Sequence, residues 1–316
     1  MTELSNWGCV PAQWKRKHLL AIEDLSADEI TLLLNQAERF IPILKEGDRK
    51  IPLLTGKTCV NLFFENSTRT KTSFALAARR LGADVVDFSA KTSSLAKGET
   101  IIDTAKNIEA MQVDCVAVRH SCPGSAKLLS ENLQCHVLNA GDGPHEHPTQ
   151  GLLDILTIRQ HFGKIAGLTI ALVGDIAHSR TARSNIWGLK ALGANIILCG
   201  PSTLVSRQWE QFGIEVTYSL DNILDRVDVF NLLRIQFERQ VVRPFPSVRE
   251  YTHLYGMDSV RLAKTKPEAL IIAPGPINRG LEVTPEVADG PRSAILQQVT
   301  NGVAVRMAAL WMCLSN

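Results

Sequence analysis

The chain has 316 residues, 45% hydrophobic and 21% charged, with a formal net charge of +2. That is the composition of a soluble globular protein of roughly two domains, each able to bury its own core. A balance so near neutral argues against a nucleic-acid or membrane-surface binder, which would carry a basic excess, but leaves small anionic ligands open. Residues 1–17 hold no apolar core of signal-peptide length, and no stretch of about 18 uncharged apolar residues suggests a membrane span. The seven cysteines form no Cys-x-x-Cys pair and read as small buried hydrophobes in a reducing cytoplasm.

Ser26 and Glu29 form a capping-box pattern ahead of Ile30, Leu33, Leu34, Ala37, Ile41 and Leu44, which predicts a first helix. Short apolar runs then alternate with helical patterns. Strands are expected over 58–64, 84–88, 114–118 and 136–139, and helices over 68–81, 99–111 and 150–162. The alternation restarts with a strand at 168–173 and a helix at 181–192 closed by Gly193. Strands follow at 195–198, 215–217, 229–233 and 270–272, the last broken by Pro274-Gly275-Pro276. A closing amphipathic helix over 294–312 carries Val299, Val303, Met307 and Leu310. Nearly all-apolar strands alternating with helices mean parallel sheets covered on both faces. The expected class is α/β, in two domains that each hold a mostly parallel sheet with helices on both faces, and with a boundary near residue 150.

In open parallel sheets ligands lie beyond the carboxyl ends of the strands. The first strand ends in Glu65-Asn66, followed by Ser67, Thr68, Arg69 and Thr70 at the start of a helix with Phe74, Ala77, Ala78 and Leu81 on one face. Unpaired N–H groups, a partial positive charge, hydroxyls and a guanidinium suit a phosphate there. Serine and threonine are also ordinary helix caps, so this stretch alone decides nothing. Other strand ends deliver Arg119-His120, His145 to Gln150, Asp175 with Arg180, Arg234 with Gln236, and Gly275-Pro276. Arginine or histidine at most of these ends points to a cleft for a multiply charged anion. Arg234 follows an almost wholly apolar strand, where a charge is costly without an anionic partner.

Several competing readings stay weak. His145 and His147 could begin a zinc site, but Pro148 follows at once and no third ligand stands nearby, so no metal is expected. The Gly174-Asp175 turn is similar to a dinucleotide-binding turn without Gly-x-Gly-x-x-Gly. Neither serine nor cysteine sits in a nucleophile elbow. Lys97 lies in a small-residue loop ahead of a helix, of the kind that often closes over ligands, but taken alone it reads first as a solvated loop lysine.

Together these stretches resemble the aspartate/ornithine carbamoyltransferase family along nearly the whole chain. Ser67-Thr68-Arg69-Thr70 resembles its carbamoyl-phosphate signature and His147-Pro148-Thr149-Gln150 its second motif. Lys97-Gly98-Glu99 and the run from Arg234 to Arg239 resemble the aspartate branch, and the His-Cys-Leu-Pro stretch of an ornithine enzyme is absent. The resemblance implies transfer of the carbamoyl group of carbamoyl phosphate to L-aspartate. Residues 1–149 with the helix 294–316 would form the carbamoyl-phosphate domain, and 150–293 the aspartate domain. Ser67, Thr68, Arg69 and Thr70 would hold the phosphate, joined by Ser93 or Ser94, of which Ser94, three before Lys97, is favoured. Arg119, His147 and Gln150 would meet the carbamoyl group or its phosphate, and the backbone at Gly275 and Pro276 the carbamoyl amide. Arg180, Arg234 and Gln236 would hold the aspartate carboxylates. Lys97 would reach into a neighbouring subunit's site within a homotrimer. No cofactor is implied. Whether the trimer stands alone, joins regulatory chains or docks onto a dihydroorotase stays open, and an ornithine-type enzyme or a non-catalytic partner with the same fold are the other readings.

Overall fold

A computed structural model describes residues 7, 9–45, 50–89, 99–236 and 245–315. The chain divides into two compact units, residues 1–152 with 300–316 and residues 153–299.

Unit 1 opens on α1 (Ala27–Lys45). Its predicted capping box is present, with Ser26 N–H donating to Glu29 Oε2 at 2.9 Å and Glu29 N–H donating to Ser26 Oγ at 3.2 Å. Then come β1 (Thr58–Phe63), α2 (Thr68–Arg80), β2 (Asp84–Ser89), α3 (Ile101–Glu109), β3 (Cys115–His120), α4 (Ser125–Asn132), β4 (His136–Asp142) and the start of α5 (Pro148–Phe162). The sheet order is β2-β1-β3-β4, and every pairing is parallel. Val60, Leu62, Val116, Val118 and Val137 join Ala105, Ile108, Ala126 and Leu129 in one core cluster. Each such fully buried Val or Leu stabilises the unit by about 1.5–3 kcal/mol.

Unit 2 holds the rest of α5, then β5 (Thr169–Val173), α6 (Arg180–Ala191), β6 (Asn195–Cys199), β7 (Glu215–Thr217), β8 (Val229–Leu232), α7 (Val248–Tyr255), α8 (Ser259–Ala263), β9 (Leu270–Ile272), α9 (Pro285–Ala288) and the start of α10 (Ile295–Leu314). The parallel sheet runs β7-β6-β5-β8-β9. Ala171, Val173, Phe230, Leu232 and Ile271 pack with Leu220, Ile223, Leu224 and Tyr251.

The α/β class, the parallel pairing and every predicted strand are present, most with ends shifted by a residue or two. The final helix differs from expectation. It is not amphipathic, since every residue from Val303 to Leu314 is buried, while Val299, assigned to the core face, is 55% exposed. Over that stretch the helix is enclosed on every side, so its period carries no face information. Among the described residues, no helix is long and apolar enough to cross a membrane.

In each sheet the strand order reverses direction once. In unit 1 the switch falls between β1 and β3, and in unit 2 between β5 and β8. A crevice opens beyond the strand ends at such points.

Candidate active site

The residues expected to bind phosphate follow β1, and Arg119 lies at the end of β3, so the two flank the switch point of unit 1. Ser67 takes the N-cap position of α2 with an extended backbone, yet its side chain makes no capping hydrogen bond. The simple reading of Ser67 as a side-chain cap therefore fails. Thr68 and Arg69 are exposed in the first turn of α2, and Thr70 is buried. No acidic residue occupies that turn, so the helix end keeps its attraction for an anion.

Arg119 is half-buried and held from two sides. Its Nη1 donates to Ala140 O at 3.2 Å, and its Nε lies 3.3 Å from Glu65 Oε2. The neighbouring His120 serves the turn instead, since its Nδ1 accepts from Cys122 N–H at 2.9 Å. Burial lowers its pKa, which suits that neutral acceptor role.

His147 is 5% exposed, with Nε2 3.4 Å from Thr70 Oγ1, so the two lie together in unit 1. Gln150 follows in the first turn of α5. The corner before it is built on Asp142, 1% exposed, which sequence reasoning missed. Its carboxylate accepts from Gly124 N–H at 2.8 Å, Asn139 Nδ2 at 2.8 Å and Glu146 N–H at 3.1 Å, and meets His145 Nδ1 at 3.0 Å. The His145–Asp142 hydrogen bond raises the His145 pKa. A signal was present in Gly141-Asp142-Gly143, whose glycines have φ of 118° and 52°. At Gly143 an added Cβ would come within 2.7 Å of Ser121 O.

Glu23, His145 and Glu146 bring one ligand atom each within 4.8 Å of one another, but His147 is not in the group. The Glu146 oxygens already accept from Ile22 and Glu23 N–H at 2.9 and 3.0 Å. The proposed His145–His147 pair therefore does not converge on this group.

In unit 2, Asp175 follows β5 and Arg234 and Gln236 follow β8, flanking its switch point. Arg180 is the first residue of α6 and 4% exposed. Asp175, fully buried, accepts from His178 Nδ1 at 2.9 Å and from Gln236 N–H at 3.5 Å. Gln236 Nε2 donates to His178 O at 3.1 Å, which ties the β8 exit to the α6 approach. Gly174 is required there, because at φ 125° a Cβ would stand 2.6 Å from Leu233 O.

Gly275 and Pro276 lie exposed in the turn after β9, joined by a cis peptide bond. Glu282, 3% exposed, accepts from Ile235 N–H, Asn278 N–H and Asn278 Nδ2, each at 2.9 Å. One carboxylate thus holds the chain beside Arg234 and the end of the Gly275–Pro276 turn. Nothing in the sequence around Glu282 announced that role. The expectations for Ser94 and Lys97 lie outside the described residues.

Two parallel α/β units, each presenting arginine at its own switch point, suit small anionic substrates. Comparison with known proteins makes that reading specific. Residues 17–160 match the family model described as aspartate/ornithine carbamoyltransferase, carbamoyl-P binding domain, and residues 166–313 match the Asp/Orn binding domain of the same family. The chain is 63% identical over 315 residues to an aspartate carbamoyltransferase catalytic subunit from Rhodopirellula baltica, covering 96% of this chain and 92% of the relative. It is 55% identical to the catalytic subunit from Halothermothrix orenii, covering 94% and 95%. Among solved structures, aspartate transcarbamoylase from Trypanosoma cruzi in complex with carbamoyl phosphate and aspartate superposes with a TM-score of 0.85 at 31% identity, covering 95% and 96%. The chain belongs to the aspartate/ornithine carbamoyltransferase family.

Proposed function

We infer that the chain transfers the carbamoyl group of carbamoyl phosphate to the amine of L-aspartate, giving N-carbamoyl-L-aspartate and phosphate, a reaction of pyrimidine synthesis. The observation that carries this reading is the coincidence of chemistry with topology. Ser67 to Thr70 and Arg119 flank one switch point, and Arg180, Arg234 and Gln236 flank the other. The Trypanosoma cruzi relative, named for complexes with both substrates, supports the assignment.

In this reading Ser67, Thr68, Arg69 and Thr70 hold the phosphate of carbamoyl phosphate on unit 1. Arg119, His147 and Gln150 bind the carbamoyl group, and the carbonyls of Gly275 and Pro276 accept from its amide. Arg180, Arg234 and Gln236 receive the two aspartate carboxylates on unit 2. The amine lone pair attacks the carbamoyl carbon, and charge builds on its oxygen. Thr70, Arg119 and His147 donate to that oxyanion, and one such donor is worth about a hundred- to a thousandfold in rate. The intermediate then collapses with cleavage of the carbon–oxygen bond to phosphate. Phosphate leaves with the bonding pair and takes the amine proton, so no separate general base is needed.

The reading extends to a homotrimer in the cytoplasm in which Ser94 and Lys97 complete a neighbouring subunit's site. It is supported by the Lys97-Gly98-Glu99 match. Mixing inactive Arg69→Ala and Lys97→Ala chains, after dissociation, should regenerate activity, because some sites in hybrid trimers receive both natural residues.

The direct test supplies carbamoyl phosphate with L-aspartate or L-ornithine to the purified protein and follows phosphate and carbamoyl amino acid. Carbamoylaspartate formation is expected. Equal turnover of ornithine, or no turnover, overturns the reading.

A further inference from the structure

Behind the turn that carries Gly275 and Pro276, unit 2 contains a chain of side-chain hydrogen bonds to which none of the expected ligand residues belongs. Asp154 on α5 is fully buried. One of its oxygens accepts from Asn185 Nδ2 on α6 at 2.8 Å, and the other from Gln298 Nε2 on α10 at 2.7 Å. Gln298 is 2% exposed, and its Oε1 accepts from the backbone N–H of Ala273 at 2.9 Å.

Ala273 is the residue where the chain leaves β9, just before Pro274, Gly275 and Pro276. Both prolines lack an N–H, so this segment has few donors with which to anchor itself. Its upstream anchor is the Ala273–Gln298 bond, and its downstream anchor is Asn278 on Glu282.

The polarity of the chain follows from that first N–H. A backbone N–H can only donate, so Gln298 must turn its oxygen toward Ala273. Its NH₂ then points the other way and needs an acceptor. The Asp154 carboxylate supplies one. Burying a carboxylate costs several kcal/mol unless hydrogen bonds offset it, and an apolar residue would fill the space more cheaply if packing were the whole role.

We propose that Asp154 and Gln298 are positioning residues for carbamoyl transfer: Asp154 fixes the orientation of the Gln298 amide, and Gln298 fixes the start of the turn whose carbonyls receive the carbamoyl amide. This rests on the carbamoyltransferase reading above. Neither residue touches substrate, so both act on the reaction step through the turn, while the carboxylates of aspartate bind elsewhere on the unit.

The test is a swap of polarity within the full chain. Gln298→Glu still accepts from Ala273 but sets a second carboxylate against Asp154. Its kcat should fall about ten- to a hundredfold, the cost of a site misplaced by around an ångström. It should recover toward acid pH as the two carboxylates share a proton. The double variant D154N/Q298E rebuilds the chain, with an amide donating to the new carboxylate, and should return kcat to within about threefold of wild type at little changed aspartate KM. Gln298→Met, close in volume, removes the anchor without adding charge and should lower kcat similarly. A purely structural role predicts a lower Tm with kcat unaltered in Gln298→Met; that result, or a double variant no better than Q298E, overturns the proposal. Inactive wild type would instead sink the carbamoyltransferase reading, and this inference with it.

Discussion

At the corner between β4 and α5, the four groups that converge on the Asp142 carboxylate set where His147 stands, 3.4 Å from Thr70 Oγ1. Asp142→Asn replaces one acceptor with a donor among these donors, leaving an N–H without its acceptor at a cost of about 1–3 kcal/mol. Its Tm should fall and its kcat should drop at least tenfold or so, read by thermal melts and steady-state assay. Arg69 is a different case, exposed in the first turn of α2 and proposed as a phosphate ligand. Arg69→Ala should lose on the order of a hundredfold or more in kcat with an unchanged Tm, and retention of turnover would remove Arg69 from the site. A third residue sets a pH dependence. His18 Nδ1 accepts from Val137 N–H at 3.0 Å, and burial, with Lys17 and His136 nearby, holds its pKa down at about 4. The neutral ring is the one the fold needs, so its stability contribution is whole above about pH 6.5 and is lost as pH falls toward 4. His18→Asn keeps an acceptor without the titration, and its Tm should decline less over that window. At this scale the sequence announced residues that point outward from strand ends, since an arginine after an apolar run is conspicuous. It marked Asp142 only by the flanking glycines and stayed silent on Glu282, since the partners of both carboxylates are brought together only by folding.

Elements were legible to the degree that their burial imposes a pattern. Most strands are buried along nearly their whole length and stand out as apolar runs, although β2 and β7 are partly exposed, and the Ser26–Glu29 capping box marks the start of α1. The short helices α4, α7, α8 and α9 escaped notice, as each is too brief to establish a period. The strand-end rule needed only that the strands be parallel, which is why the site residues could be assigned to strand ends before their order or geometry was known. Between β8 and β9, Glu282 ties the exit of one strand to the turn after the other. Burial raises its carboxyl pKa even though three N–H groups point at it. Glu282→Gln turns an N–H toward one of those donors. The expected result is a several-fold or greater rise in aspartate KM, from about 1–3 kcal/mol of lost fit beside Arg234. An unchanged aspartate dependence would separate Glu282 from that half of the site.

For the whole molecule, the decisive feature is that unit 1 is made of two segments far apart in sequence, 1–152 and 300–316. The returning segment is deeply integrated. Arg306, 4% exposed, donates to Ser73 Oγ at 2.9 Å, and its guanidinium lies 5.2 Å from the Phe74 ring centre. Arg306→Ala should lower the Tm by several degrees through lost packing and a lost hydrogen bond, as differential scanning calorimetry would report. A ribosome delivers residues 153–299 before 300–316. Unit 2, second in the sequence, is therefore the first to have all its chain available. The nascent 1–152 segment must wait on the order of ten to thirty seconds for the helix that completes its core, at ordinary rates of synthesis. During that interval an apolar surface shaped for α10 stands uncovered, which makes the half-made chain, rather than the finished protein, the stage most exposed to aggregation and most dependent on chaperones.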